Sequence, residues 1–220
     1  MREQWLASPQ DTAMPDRRFG LEKMYPQRFK PEDIESPGDG YVYLACPGSR
    51  RKCLRHGIHV GHHDCFIIAI DGACSNNGNP NARGSIGVYC GDGNIHNVSK
   101  RLLVDDERHT NQIAGLEACS EGLIAGMGIL NELIADGGKP SILVIKSDSA
   151  YVVRGLTEWL PKWQRNGWKN SRGLPVANAI LFQRLGYYIE VLETVATVKF
   201  WLVPRALNQN ADKLANDALN

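Results

Sequence analysis

The chain has 220 residues, 43% of them hydrophobic, and a formal net charge of +1 at pH 7. This size is enough for one sizeable core plus an extension, and the balanced charge excludes a global basic field that would attract nucleic acid. No apolar run approaches the roughly 18 residues of a membrane span, so we expect no membrane partner. The six cysteines have no repeating spacing and the chain has no signal peptide, so we expect reduced thiols and an intracellular protein, in the nucleus or cytoplasm and not secreted.

Residues 1–65 are predicted to form an irregular N-terminal extension, because they are rich in Pro, Gly, Arg and Asp and show little periodicity. Three of the six cysteines and four of the six histidines of the chain lie within residues 46–65. A zinc site needs four such ligands, but the paired C-x-x-C spacing is missing here. Two interpretations therefore stay open for this segment: a partly ordered surface arm, or a Zn²⁺ site formed among Cys46, Cys53, His56, His59 and Cys65.

Two apolar runs, residues 66–70 and 142–147, each end next to an aspartate. Both are rich in β-branched residues, which predicts buried strands. If the strands are neighbours in one sheet, their carboxylates, Asp71 and Asp148, can converge at the same end of it. A third acid, Asp212, lies in a short helical pattern near the end of the chain. Taken singly, each aspartate is more typical of a turn or a helix cap than of a ligand.

The remaining elements alternate between strands and helices. A hairpin is predicted around residues 91–94, and it joins two strands that follow the first. A helix is expected from about residue 111 to 127, and an amphipathic helix from about 176 to 192. A last strand and a short helix finish the chain. Three antiparallel strands followed by alternating helices and strands predict an α/β domain over residues 66–220, with a mixed five-stranded sheet flanked by helices.

The segment from Trp159 to Ile189 is locally cationic in a nearly neutral chain. It contains no Asp or Glu, whereas its cations are Lys162, Arg165, Lys169, Arg172 and Arg184. Basic side chains interleaved with aromatic ones are typical of a nucleic-acid interface. For the tryptophans at 163 and 168, packing against the core is the alternative.

In this order, the motifs resemble those of type 1 ribonuclease H. The match covers residues 66–220 and includes DGACSNNG at 71–78, RHTNQ at 108–112, SDSAYV at 147–152, WLPKWQRNGWK at 159–169, PVAN at 175–178 and ADKLA at 211–215. The resemblance implies the RNase H-like α/β fold. It also implies a monomeric endonuclease that uses Mg²⁺ or Mn²⁺ to cleave the RNA strand of an RNA–DNA hybrid.

The resemblance assigns metal binding and catalysis to Asp71, Asp148 and Asp212, with Asp71 bridging two cations. The family's fourth acid, a glutamate, falls on Gly115. Glu117 is an unlikely replacement, because two residues along a helix turn the side chain through about 200°. The loop at 203–210 also lacks the histidine that the family often carries there, which puts turnover in doubt.

The resemblance also assigns nucleic-acid contacts. A pocket for a phosphate of the DNA strand would use Arg108, Thr110 and Asn178. Contacts in the minor groove, where 2′-hydroxyls distinguish RNA from DNA, would come from Asn77, Asn111 and Gln112. The channel for the DNA strand would be lined by Tyr151, Trp159, Lys162, Trp163 and Ser171.

Two functions remain open at this point. The first is an RNA–DNA hybrid endoribonuclease, impaired at the position of Gly115. The alternative is a catalytically inactive protein of the same fold that binds hybrids or structured RNA. An integrase or resolvase of the same superfold is a distant third, because the Trp-rich basic segment belongs to ribonuclease H.

Overall fold

The computed structural model describes residues 16–103 and 109–220. Within these ranges, seven strands form one mixed sheet. The strands are β1 (Glu35–Gly38), β2 (Tyr41–Ala45), β3 (Gly61–Ser75), β4 (Arg83–Tyr89), β5 (Val98–Arg101), β6 (Ile142–Ser147) and β7 (Thr197–Leu202). The helices are α1 (Leu21–Met24), α2 (Asn111–Ala135), α3 (Ala150–Arg154), α4 (Leu160–Asn166), α5 (Ala179–Leu192) and α6 (Gln209–Asp217). A π-helical turn, Gly155–Trp159, joins α3 to α4.

Strand β3 organises the sheet. It pairs antiparallel with β4 and parallel with β6, while β5 extends the sheet beyond β4 and β7 extends it beyond β6. The mixed five-stranded arrangement predicted for residues 66–220 is therefore confirmed. In the parallel pair, the last paired residues are Ala69 and Lys146. Two residues farther in this register, Asp71 on β3 stands opposite Asp148, which directly follows β6.

The prediction of an irregular N-terminal extension is wrong for residues 16–65, which contain regular strands. Strands β1 and β2 form an antiparallel hairpin, and β2 pairs with the first half of β3. The hairpin turn is Asp39-Gly40, where both residues have positive φ, at 52° and 78°. A two-residue Asp-Gly turn of this kind is the strongest short-range sequence signal for a hairpin. The signal was therefore present in the sequence, but the surrounding Pro and Gly residues concealed it.

The extension covers one face of the sheet. Phe19, Tyr25, Phe29 and Ile34 are buried there, in a cluster that also includes Ile67 of β3. The neighbouring residues of β3 face the opposite side, because side chains alternate along a strand. The two faces of the sheet thus bury two separate apolar clusters, a main core under α2 and a second core to which residues 19–45 contribute most of the side chains.

Helix α2 packs on the other face and runs eight residues beyond the predicted end, to Ala135. The hydroxyl of Thr110 caps it by accepting from the backbone N–H of Ile113 at 3.1 Å. By length and composition alone, α2 could cross a membrane. However, about two thirds of its most apolar stretch is buried inside the protein. It lies against β3 and α5, as the core helix of a domain does.

Candidate active-site cleft

A cleft with a volume of about 490 Å³ opens where β3 and β6 deliver their aspartates. Its lining joins β3, the first turn of α2, the end of β6 and the turn before α6. The residues are Asp71, Gly72, Ala73, Cys74, Ser75, Asn111, Gly115, Asp148, Ser149, Arg205, Asn216 and Leu219. The sheet register and the helix start therefore place sequence-distant polar groups around one space.

Asp71 has the most perturbed carboxylate of the cleft. Burial, together with the negative charges of Asp148 and Asp212, raises its pKa to about 6. Low solvent exposure and like charges both disfavour the ionised form. A bound cation would relieve both effects, so the three acids together create a local demand for positive charge.

Asp148 is held in place by a residue that the sequence analysis did not single out. The side-chain amide of Asn208 donates to Asp148 Oδ1 at 3.1 Å and to the backbone carbonyl of Ile70 at 3.0 Å. Asn208 is fully buried. A buried amide that links β3 to the acid after β6 fixes the carboxylate relative to the sheet. No sequence pattern marks this contact, because its partners lie 138 and 60 residues away.

Asp212, at the start of α6, accepts a hydrogen bond from the guanidinium of Arg205. Arg205 lies in a 3₁₀ turn, Arg205–Leu207, between β7 and α6. Attraction to Asp212, and more weakly to Asp71 and Asp148, raises the pKa of Arg205 above its usual value. The cleft therefore contains a positive charge of its own, on a side chain that is largely exposed, and no sequence pattern singled it out.

Gly115 lies inside the cleft, one turn into α2. A Cβ atom placed on it would lie 3.1 Å from Val152 Cγ2 and 3.8 Å from Ser149 Oγ. At the facing position on β3, a Cβ on Gly72 would lie only 2.2 Å from the backbone of Ala114. Strand and helix backbones are thus in direct contact here, and α2 brings no carboxylate to the cleft at position 115.

Glu117 lies on a different surface. Its Oε2 accepts a hydrogen bond from Arg184 of α5 at 2.6 Å. It lines a separate cavity of about 450 Å³, together with Lys100, His109 and Glu121. The charge of Glu117 is therefore already paired, and it is not among the residues that line the cleft with Asp71.

The sequence and the fold of the chain both match known proteins. The RNase H family model matches residues 63–220. The chain belongs to the ribonuclease H family. Mouse ribonuclease H1 is 32% identical over 231 residues, which cover 98% of this chain and 75% of the mouse protein. A ribonuclease H from Cyanothece sp. is 39% identical over 121 residues, covering 54% of this chain and 66% of that protein. A solved foamy viral protease–reverse transcriptase superimposes with a TM-score of 0.52 at 23% identity, covering 69% of this chain and 92% of that one, and supports the fold.

The donor set of this ribonuclease H cleft fits a hard divalent cation, because Asp71 and Asp148 offer carboxylate oxygens on adjacent strands. Asp212 is drawn towards Arg205 instead. Within residues 16–103 and 109–220, no group of three His, Cys, Asp or Glu side chains is arranged to hold a metal ion. The acids are therefore suited to a cation but are not preassembled as a complete ligand set.

The zinc interpretation of residues 46–65 is not supported. Cys65 is buried in the second core, and His59 packs its ring 4.5 Å from that of Phe29. Cys53 and His56 approach each other at 3.5 Å, but they form only a pair. The candidate zinc ligands are close in sequence, but they do not converge in space, because β3 and the loop before it place them in different parts of the structure.

The predicted minor-groove residues lie beside the cleft. Asn77 Oδ1 accepts from the backbone N–H of Asn111 at 3.2 Å, which ties the β3–β4 loop to the start of α2. Asn111 and Gln112 are both exposed. Of the predicted phosphate pocket, Thr110 caps α2, and Arg108 lies outside the described residues. The third member, Asn178, donates to the hydroxyl of Tyr151 at 3.0 Å.

The predicted channel for the DNA strand contains a row of aromatic rings. Tyr151 and Trp159 have ring centroids 5.8 Å apart, as do Trp159 and Trp163, and Trp168 follows Trp163 at 6.3 Å. Trp163 also packs against Phe182 at 4.9 Å, so it contacts the main core. The exposed residues of this region include Lys162, Arg165, Lys169, Ser171 and Arg172.

Proposed function

We propose that the protein binds RNA–DNA hybrids and cleaves their RNA strand by two-cation phosphodiester hydrolysis, with a chemical step that is impaired at Gly115. The main supporting observation is that Asp71 on β3 and Asp148, directly after β6, stand opposite each other in the register of two parallel strands and line one cleft of a ribonuclease H fold. Relatives named ribonuclease H, such as the mouse and Cyanothece proteins, support the reaction class.

Asp71, Asp148 and Asp212 would hold Mg²⁺, or Mn²⁺ in its place. When bound, such cations activate a water molecule and stabilise the leaving oxygen in phosphodiester hydrolysis. The chain itself positions the carboxylates and the helix that borders the cleft. Asn208 fixes the Asp148 carboxylate, and the close contact at Gly72 brings the start of α2 against β3.

Hybrid recognition would use two surfaces outside the acid cluster. The exposed amides of Asn111 and Gln112 suit the minor groove, where they could contact base edges and 2′-hydroxyls. The aromatic row from Tyr151 to Trp168, with the exposed cations around it, suits the backbone of a DNA strand.

The alternative function is hybrid binding without cleavage, and one specific observation favours it. Gly115 brings no side chain to the cleft, and the nearest acid along α2, Glu117, is paired with Arg184. Loss of one anionic ligand weakens the hold on divalent cations. Hybrid binding would be unaffected, because the aromatic row and the amides of Asn111 and Gln112 do not depend on a side chain at position 115.

A cleavage assay separates the two functions. A labelled hybrid is incubated with the protein and Mg²⁺ or Mn²⁺, and its binding is measured separately in EDTA. Slow cleavage that Asp71→Asn abolishes supports the enzyme. Normal binding without cleavage at any metal concentration supports the alternative. Absence of hybrid binding would overturn both.

We also propose that the protein acts as an intracellular monomer. The residues of the site come from a single chain, and all six cysteines are free thiols. Reduced cysteines suit a compartment with a reducing poise. Sedimentation of the purified protein at micromolar concentration tests the monomer, and localisation of a tagged full-length chain tests the compartment.

A further inference from the structure

The charge of the cleft points to an unusual cation count. Three carboxylates, Asp71, Asp148 and Asp212, share the region with the guanidinium of Arg205. Their formal sum is two negative charges, which a single divalent cation neutralises. We propose, on the basis of the function proposed above, that in the protein without nucleic acid Arg205 takes the place of one of the two divalent cations, so that the unmodified cleft then holds a single divalent cation, at Asp71 and Asp148.

Arg205 is placed for this role by a fastened turn. The backbone N–H of Asn208 donates to the Arg205 carbonyl at 2.9 Å, and Asn208 itself is buried and bonded to Asp148 and to Ile70 of β3. The arginine side chain reaches from this turn to Asp212. The backbone that carries Arg205 is therefore tied to the sheet, while its side chain, 74% exposed, reaches Asp212 from the solvent side.

The chemistry of the guanidinium keeps its positive charge in the cleft at ordinary pH. Arginine is protonated throughout the physiological range, so it cannot leave the site by losing a proton. A divalent cation bound through Asp212 would have to displace the hydrogen bond from Arg205 and lie close to a fixed positive charge. A cation bound at Asp71 and Asp148 meets a weaker effect of Arg205, and Asp148 is bonded to the neutral amide of Asn208.

Gly115, like Arg205, makes the cleft less negative than it would be with an acid at that position. Both residues line the cleft, the first without a negative charge and the second with a positive one. Replacing both, by Gly115→Glu and Arg205→Ala, would change the formal charge of the cleft from two negative charges to four. Four negative charges balance two divalent cations, so this pair of replacements should restore a second site.

The experiment is a titration of the full chain with Mn²⁺ in the absence of nucleic acid, followed by calorimetry and by the electron paramagnetic resonance signal of free Mn²⁺. We expect one bound Mn²⁺ in the unmodified protein. Arg205→Ala should tighten binding by at least about fivefold, Arg205→Lys should keep the stoichiometry of one, and the double variant should bind two. Arg55→Ala removes an exposed cation on the loop between β2 and β3 and should change nothing.

Two bound Mn²⁺ of similar affinity in the unmodified protein would overturn the proposal, as would no binding at all or an Arg205→Ala variant with unchanged affinity and stoichiometry. Thermal unfolding without metal verifies that each variant is folded. If Gly115→Glu is unfolded because of its contact with Val152, the same glutamate is tested with Val152→Ala. Hybrid binding in EDTA is measured separately, so a failure of the proposed function is distinguishable from a failure of the cation count.

Discussion

Asn208 donates its side-chain amide to the carboxylate of Asp148 at 3.1 Å, and the same amide bonds the backbone of β3 at Ile70. We expect Asn208→Ala to lower the free energy of unfolding by about 1–3 kcal/mol, because it removes buried hydrogen bonds and leaves an acceptor unsatisfied. It should also weaken Mn²⁺ binding, since Asp148 loses its fixed orientation. Urea denaturation and metal titration measure the two effects. Asn131→Ala, on the exposed side of α2, is the control and should change neither.

The raised pKa of Asp71 predicts a pH-dependent stability. Its carboxyl has a pKa of about 6 in the folded protein, against an ordinary value of 3.8 for an exposed aspartate. Between these values the folded state binds more protons than the unfolded state, so stability falls as pH rises from about 4 to about 6. Asp71→Asn should therefore stabilise the metal-free protein at pH 7, by up to about 3 kcal/mol. Urea denaturation in EDTA at several pH values tests this, and parallel profiles for the two proteins would contradict it.

Gly115→Glu should increase metal-dependent cleavage of a hybrid by at least about tenfold, equivalent to about 1.4 kcal/mol of barrier. The new carboxylate supplies the ligand that α2 lacks, and hybrid affinity in EDTA should stay nearly unchanged. Because the Cβ atom would lie 3.1 Å from Val152 Cγ2, the gain should be larger with Val152→Ala present. Glu117→Gln is the control, and a loss of cleavage in that variant would mean that Glu117 is a ligand.

The exposed cations beside the aromatic row should carry much of the hybrid affinity. Replacing Lys162, Arg165 and Lys169 together by alanine should weaken binding and reduce the slope of log affinity against log salt by up to about 3, since each phosphate contact contributes nearly one. The matched control removes three exposed cations elsewhere, Lys23, Arg55 and Lys139. Equal losses in the two triple variants would show that only net charge matters, and unchanged affinity would make the segment structural.

Local sequence patterns predicted the strand that carries Asp71 and the strand that precedes Asp148, because apolar β-branched runs are contiguous in sequence. The predicted end of the first strand at Asp71 is wrong, since β3 continues to Ser75 by pairing with β4. Alternation of strands and helices was enough to predict the five-stranded sheet. The roles of Arg205 and Asn208 were not predictable, since they depend on contacts across the tertiary structure. The bonds from Asn208 to Ile70 and Asp148 span 138 and 60 residues, and no periodicity encodes such distances.

The match to the family begins at residue 63, inside strand β3, which itself begins at Gly61. Ahead of that point, Phe19 and Phe29 cover Ile67 of β3 on one side of the sheet. A chain trimmed to the matched residues would leave that apolar surface open to water, and such surfaces promote aggregation. The region by which the family is recognised is thus smaller than the unit that has to fold, and soluble expression should require the chain from about residue 16 onward.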